Sequence, residues 1–112
     1  MRIVLLVGVA SAGLALLGGG ASAAPGNPVA GKRVWQSAQP PCLYCHTLQA
    51  GNAYGSTGPN LDKVKPSVPT AIKFITNGSV PSARWPIGMQ TFVLTKQQIR
   101  DLAAFIYQAT HK

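Results

Sequence analysis

Five consecutive residues, Cys42-Leu43-Tyr44-Cys45-His46, hold both cysteines of this chain and one of its two histidines. Whatever the chain folds into is organised around that run, because the remainder is too short to supply a large core. Of its 112 residues, the first 23 carry the marks of an export signal. Met1-Arg2 gives a short positive start, Ile3 to Leu17 an apolar run, and Ala21-Ser22-Ala23 a small-residue cleavage site. An uncleaved anchor is the competing reading, but Gly8, Gly13 and Gly18-Gly19-Gly20 weaken a spanning helix. No cysteine follows the cleavage site to carry a lipid, and no later stretch is apolar enough to cross a bilayer. The expected division is a signal peptide over 1–23 and one domain over 24–112, delivered to the periplasm or another extracytoplasmic space. The 89 residues left after cleavage bury only a marginal core by themselves.

The five-residue run suggests where the missing stability comes from. CxxCH is the attachment pattern of c-type haem. Two thiols three residues apart reach the two vinyl groups along one porphyrin edge, and the adjacent His46 can bind the iron axially. A thioredoxin-like redox site would place its CxxC in a βαβ pattern, which this chain lacks. A zinc site needs four ligands, and Cys42, Cys45, His46 and the terminal His111 are the only Cys and His after cleavage, three of them crowded together. A plain disulfide leaves His46 unexplained. Haem iron takes a second axial ligand, and the mature chain holds one methionine, Met89, inside a long irregular segment. A core gap-filler is the bland alternative for a lone Met. His111 is the alternative ligand, disfavoured by its place in a terminal segment.

The local patterns predict an all-α, loop-rich domain of three to four short helices. Asn27-Pro28 reads as an N-cap followed by proline at the first helical position, opening a helix to about Gln36 with Gly31 and Trp35 on one face. Pro40-Pro41 ends any helix and delivers the chain to Cys42 in an extended or turn geometry. Gly51 to Asn60 has the composition of a surface loop. A helix over about Pro69 to Thr76 stops at Asn77-Gly78 and turns Ala71, Ile72 and Ile75 inward. The last helix, to about Ala109, starts with Thr95 and Gln98 as a capping box and Leu94 with Ile99 as a staple. Ile99, Leu102, Ala103 and Ile106 form its buried stripe, with Phe105 on the flank. Ser79 to Val93 has no regular period, and loops of that length in a small domain usually have a job. No internal repeat and no alternation long enough for a sheet are found.

Taken with these elements, the chain resembles the small bacterial mono-haem members of the class I cytochrome c family over nearly all of residues 28–107. The likeness rests on Gly31 and Trp35, the CxxCH run, Gly58-Pro59-Asn60-Leu61, Met89, and Leu102 with Phe105. It implies a fold wrapped around one covalent haem c, with the first and last helices in close approach at Gly31 and Trp35, Leu102 and Phe105 packed around it. It also implies that the Pro59 carbonyl accepts a hydrogen bond from His46 Nδ1 and fixes the ring. Three departures are visible: a longer spacer between Trp35 and Cys42, Gln90 after Met89 where many relatives have proline, and Trp in place of Phe on the first helix.

The function so implied is transfer of single electrons rather than catalysis, because an iron held by His46 and Met89 has no open position. Cys42, Cys45, His46, Gly58, Pro59, Trp85 and Met89 are the expected haem-binding residues, with His46 and Met89 as metal ligands. Arg84 and Trp85 are candidates for bonding a haem propionate, although Trp85 would serve equally as packing. Removing Arg2 leaves nine Lys and Arg against Asp62 and Asp101, a net +7. Two propionates would bring that to about +5. The cations are scattered rather than run together, which suits redox partners with acidic docking surfaces and gives no basic stripe for nucleic acid. A monomer is expected. The competing readings are an electron-entry subunit of a larger dehydrogenase or oxidase, and a haem enzyme or gas sensor with a labile Met89.

Overall fold

The computed structural model describes residues 25–112, and the expected signal segment over 1–23 lies outside them. Helix α1 spans Pro28–Ser37, a 3-10 turn covers Cys42–Tyr44, and two short strands follow: β1, Thr47–Leu48, and β2, Ala53–Tyr54. A second 3-10 turn, Gln49–Gly51, joins them. Then come α2 (Leu61–Val64), α3 (Val68–Asn77) and α4 (Lys96–Thr110). Helices dominate and the only sheet among the described residues is a two-residue antiparallel ladder, with Thr47 opposite Tyr54 and Leu48 opposite Ala53.

Each long helix begins where its capping chemistry allows. At α1 the Asn27 side chain accepts from the N–H groups of Val29 and Ala30, and Pro28 costs nothing in the first turn, whose N–H would be unpaired anyway. Helix α4 opens with the full capping box: Thr95 Oγ1 accepts from Gln98 N–H at 3.0 Å, and Gln98 Oε1 accepts from Thr95 N–H at 2.8 Å. Helix α3 starts one residue earlier than the proline signal suggests, because Ser67 caps it by accepting from Thr70 N–H. It stops at Gly78, as expected, with φ at +68°.

The core lies between α1 and α4, with α3 closing a second side. Trp35, Leu48 and Leu102 are the largest fully buried side chains. Phe105, expected on the flank, is itself buried, and its ring lies 6.0 Å from that of Trp35. A Cβ on Gly31 would run into the Asp101 carbonyl and lie 2.8 Å from Phe105 Cβ, so the small residue sets how closely α1 meets α4. Asp101, buried on α4, accepts from the backbone N–H of Asn27 at 2.8 Å and from Gln97 Nε2 at 2.9 Å, which ties the start of α1 to the last helix.

The segment Gly51 to Asn60 differs from a plain surface loop. Gly51 and Ala53 are buried, and Trp35 Nε1 donates to the Gly51 carbonyl at 3.1 Å. A two-residue strand has no alternation to read, and one turn of helix such as α2 has no period, so composition alone reports only the polar majority of this stretch.

Candidate functional site

Pro41, extended at φ −60° and ψ 141°, hands the chain to the 3-10 turn at Cys42. That turn spaces the two cysteines. Cys45 and His46 both donate their N–H groups to the Cys42 carbonyl, at 3.3 and 3.2 Å. The two cysteines are not bridged to each other. Burial pushes the Cys42 thiol up to about 11, and the neighbouring Cys45 adds to the rise against a smaller opposing backbone hydrogen bond.

His46 is held from behind by the segment that composition marks as a loop. Its Nδ1 donates to the Pro59 carbonyl at 2.9 Å. A carbonyl can only accept, so the ring proton sits on Nδ1 and the Nε2 lone pair is left for a metal. Burial lowers the imidazole's affinity for a second proton, opposed in part by the Pro59 bond. A Cβ on Gly58 would stand 2.8 Å from His46 Cε1, so the ring can lie against this backbone only because residue 58 has no side chain. The backbone behind is closely tied: Gly58 N–H donates to the Cys45 carbonyl at 2.6 Å, and Gly55 N–H to the His46 carbonyl at 3.1 Å.

Cys42, Cys45, His46, Gly58, Pro59, Trp85 and Met89 all line one cavity of ≈ 350 Å³. Its apolar walls come from every helix: Trp35 on α1, Leu61 and Val64 on α2, Ala71, Phe74 and Ile75 on α3, Leu102 and Ile106 on α4. No Lys, Arg, Asp or Glu lines it. Arg84, a candidate for bonding a propionate, and His111, the disfavoured alternative ligand, lie elsewhere. Arg84 lies over the ring of Trp85, 5.6 Å from its centroid, and does not line the cavity. His111 stacks on Tyr107 with ring centroids 3.9 Å apart, and its Nδ1 lies 3.0 Å from Thr110 Oγ1 and 3.1 Å from the Tyr107 carbonyl, also outside the cavity. Phe74 and Val64 escaped the reading of the sequence. Thr70, Ala71, Phe74 and Ile75 recur at helical spacing, and that stripe was the available signal for Phe74.

The solved structure of the c-type cytochrome SorU from Sinorhizobium meliloti matches this fold with a TM-score of 0.66 and 30% sequence identity, over 76% of this chain and 92% of SorU. This chain belongs to the small c-type cytochromes. No family model matches the sequence, and no curated protein does.

The cavity fits the covalent haem c of such a cytochrome on its own evidence. The CxxCH cysteines and an imidazole with a free Nε2 open onto the same apolar space. Phe74 and Ile87 line that space yet stay 42% and 69% exposed, as side chains shaped to cover a large apolar group rather than one another would. Cys42 and Cys45 hold the haem, which supplies the one-electron chemistry of its iron. Among the described residues, no helix is long and apolar enough to cross a membrane.

Proposed function

We propose that this cytochrome is a single-electron carrier whose haem iron is held axially by His46 and Met89, and that it is not itself a catalyst. The supporting observation is that Met89, the one methionine among the described residues, lines the same cavity as His46, while His111 lies outside it. With both axial positions taken, no site remains for a substrate or gas, and Met89 as a soft, uncharged ligand favours the ferrous state. The apolar lining works in the same direction by keeping water and compensating charge away from the ferric centre.

Trp85 lines the cavity and has an indole N–H to offer a propionate, while the Arg84 guanidinium lies over its ring. The excess of Lys and Arg steers approach to redox partners with acidic surfaces, which makes association rates fall as salt rises. Export to an extracytoplasmic space follows from the signal-like start of the chain.

The test is a set of absorption spectra of wild type and Met89→Ala after haem attachment. The ferric wild type should show the weak far-red band of sulfur ligation, and its reduced form should resist carbon monoxide. Met89→Ala should lose the band, bind carbon monoxide and fall in reduction potential by far more than any surface Lys variant. An unchanged spectrum in Met89→Ala rejects the ligand assignment.

A further inference from the structure

Residues 79–89 leave the end of α3 and return to it. Ser79 and Met89 pair as an isolated antiparallel bridge, with Ser79 N–H donating to the Met89 carbonyl at 2.8 Å and Met89 N–H to the Ser79 carbonyl at 3.1 Å. The same Met89 N–H also lies 3.0 Å from Ser79 Oγ, so one amide is shared between two acceptors of one residue. Within the enclosed segment, Ser82 N–H and Gly88 N–H both donate to the Trp85 carbonyl, at 3.0 and 3.1 Å, and Trp85 N–H donates to Ser82 Oγ at 3.0 Å. The segment's hydrogen bonds therefore run between its own members with its ends together, which defines a compact closed loop.

Glycines stand at both sides of the closure. Gly78 precedes Ser79 with φ +68°, and Gly88 precedes Met89 with φ +75°. Neither admits a side chain: a Cβ on Gly78 would strike the Met89 carbonyl, and one on Gly88 would lie 2.6 Å from the Ser79 carbonyl. Both obstructions are atoms of the bridge itself.

We propose that Ser79 is the positioning residue for the sixth ligand: its backbone and hydroxyl close residues 79–89 into a ring, pinned by Gly78 and Gly88, that presents Met89 to the cavity as a preformed unit. This rests on ligation by Met89, and it locates the control of that ligand ten residues earlier in the chain. The ring takes its direction from the last turn of α3, where Gly78 N–H donates to the Phe74 carbonyl at 2.8 Å.

The experiment compares haem-loaded Ser79→Ala, Ser79→Thr, Gly88→Ala and Met89→Ala by three readouts: the ferric far-red band, the rate of carbon monoxide binding to the reduced form, and the denaturant midpoint from helix circular dichroism. Ser79→Ala should keep the band and bind carbon monoxide up to about tenfold faster, the scale set by weakening one hydrogen bond. Ser79→Thr should behave as wild type. Gly88→Ala should lose the band while its denaturant midpoint changes little. The ring is refuted if Ser79→Ala and Gly88→Ala match wild type while Met89→Ala loses the band. A threonine variant as loose as the alanine variant also overturns the role of the hydroxyl. If Met89→Ala keeps the band, ligation itself is wrong and the proposal goes with it, an outcome told apart from the others by that one variant.

Discussion

The two walls of the cavity that carry His46 and Met89 are built differently. The His46 wall is continuous with the core: Leu48 and Ala53, on either side of the hairpin that follows it, are almost wholly buried, and Trp35 reaches from α1 to bond the Gly51 carbonyl. Its hydrogen bonds join residues 42–60 to one another and that block to the interior. The Met89 wall closes on itself. Val80 to Arg84 are exposed, as are Pro86 and Ile87, and the bonds of this segment run mainly between its own members. Opening the first wall means breaking the core, whereas the second can open and leave the core standing. On the proposed ligation, this cytochrome keeps one ligand at the stability of the whole domain and the other at the stability of a loop.

Hydrogen exchange of the haem-loaded protein tests that contrast most directly and should show the largest effect. The amides of His46, Gly55 and Gly58 should exchange only through global unfolding, and those of Ser82, Trp85 and Gly88 through local opening cheaper by several kcal/mol out of a total of about 5–15 kcal/mol. Equal protection would erase the distinction. Next in size, Trp35→Ala should cost about 3–5 kcal/mol in denaturant unfolding. It should also loosen the Gly51 end of the His46 wall, whereas Met89→Ala should cost clearly less and change the spectrum more. Gly58→Ala sharpens the comparison within the first wall, because its Cβ would displace the His46 ring at a cost of about 1–3 kcal/mol. A shift in the reduction potential of that variant, with the far-red band retained, would show that the ring moved and the opposite ligand did not. The smallest effect belongs to Thr95→Ala, remote from both walls, which should lose about 1 kcal/mol of stability through the helix cap and leave the spectrum unchanged.

What could be read in the sequence was whatever is carried by local chemistry. The caps at Asn27 and Thr95, the stop at Gly78 and the stripe on the last helix are written in neighbouring residues, and all four stand in the structure, with Ile99 the one half-buried member of the stripe. The CxxCH run is equally local. Gly51 to Asn60 is largely the surface loop its composition indicates, but Gly51 is buried against Trp35, sixteen positions away, and no composition rule registers a distant indole. The nearness of Arg84 and Trp85 to Met89 in the chain does not reveal that the Arg84 guanidinium lies over the Trp85 ring while Trp85 alone of the two lines the cavity. The Ser79–Met89 pairing was likewise hidden, since a single bridge has no periodicity and is recognisable only once the loop has closed.

The pairing of α1 with α4 has a consequence in time. Asn27 and Gly31 have their partners far along the chain, at Asp101 and Phe105, so the interior between the two helices needs both in place. Until then Cys42, buried in the finished fold, lies on an open chain. The core that encloses Cys42 is therefore complete only when the first and last helices have met.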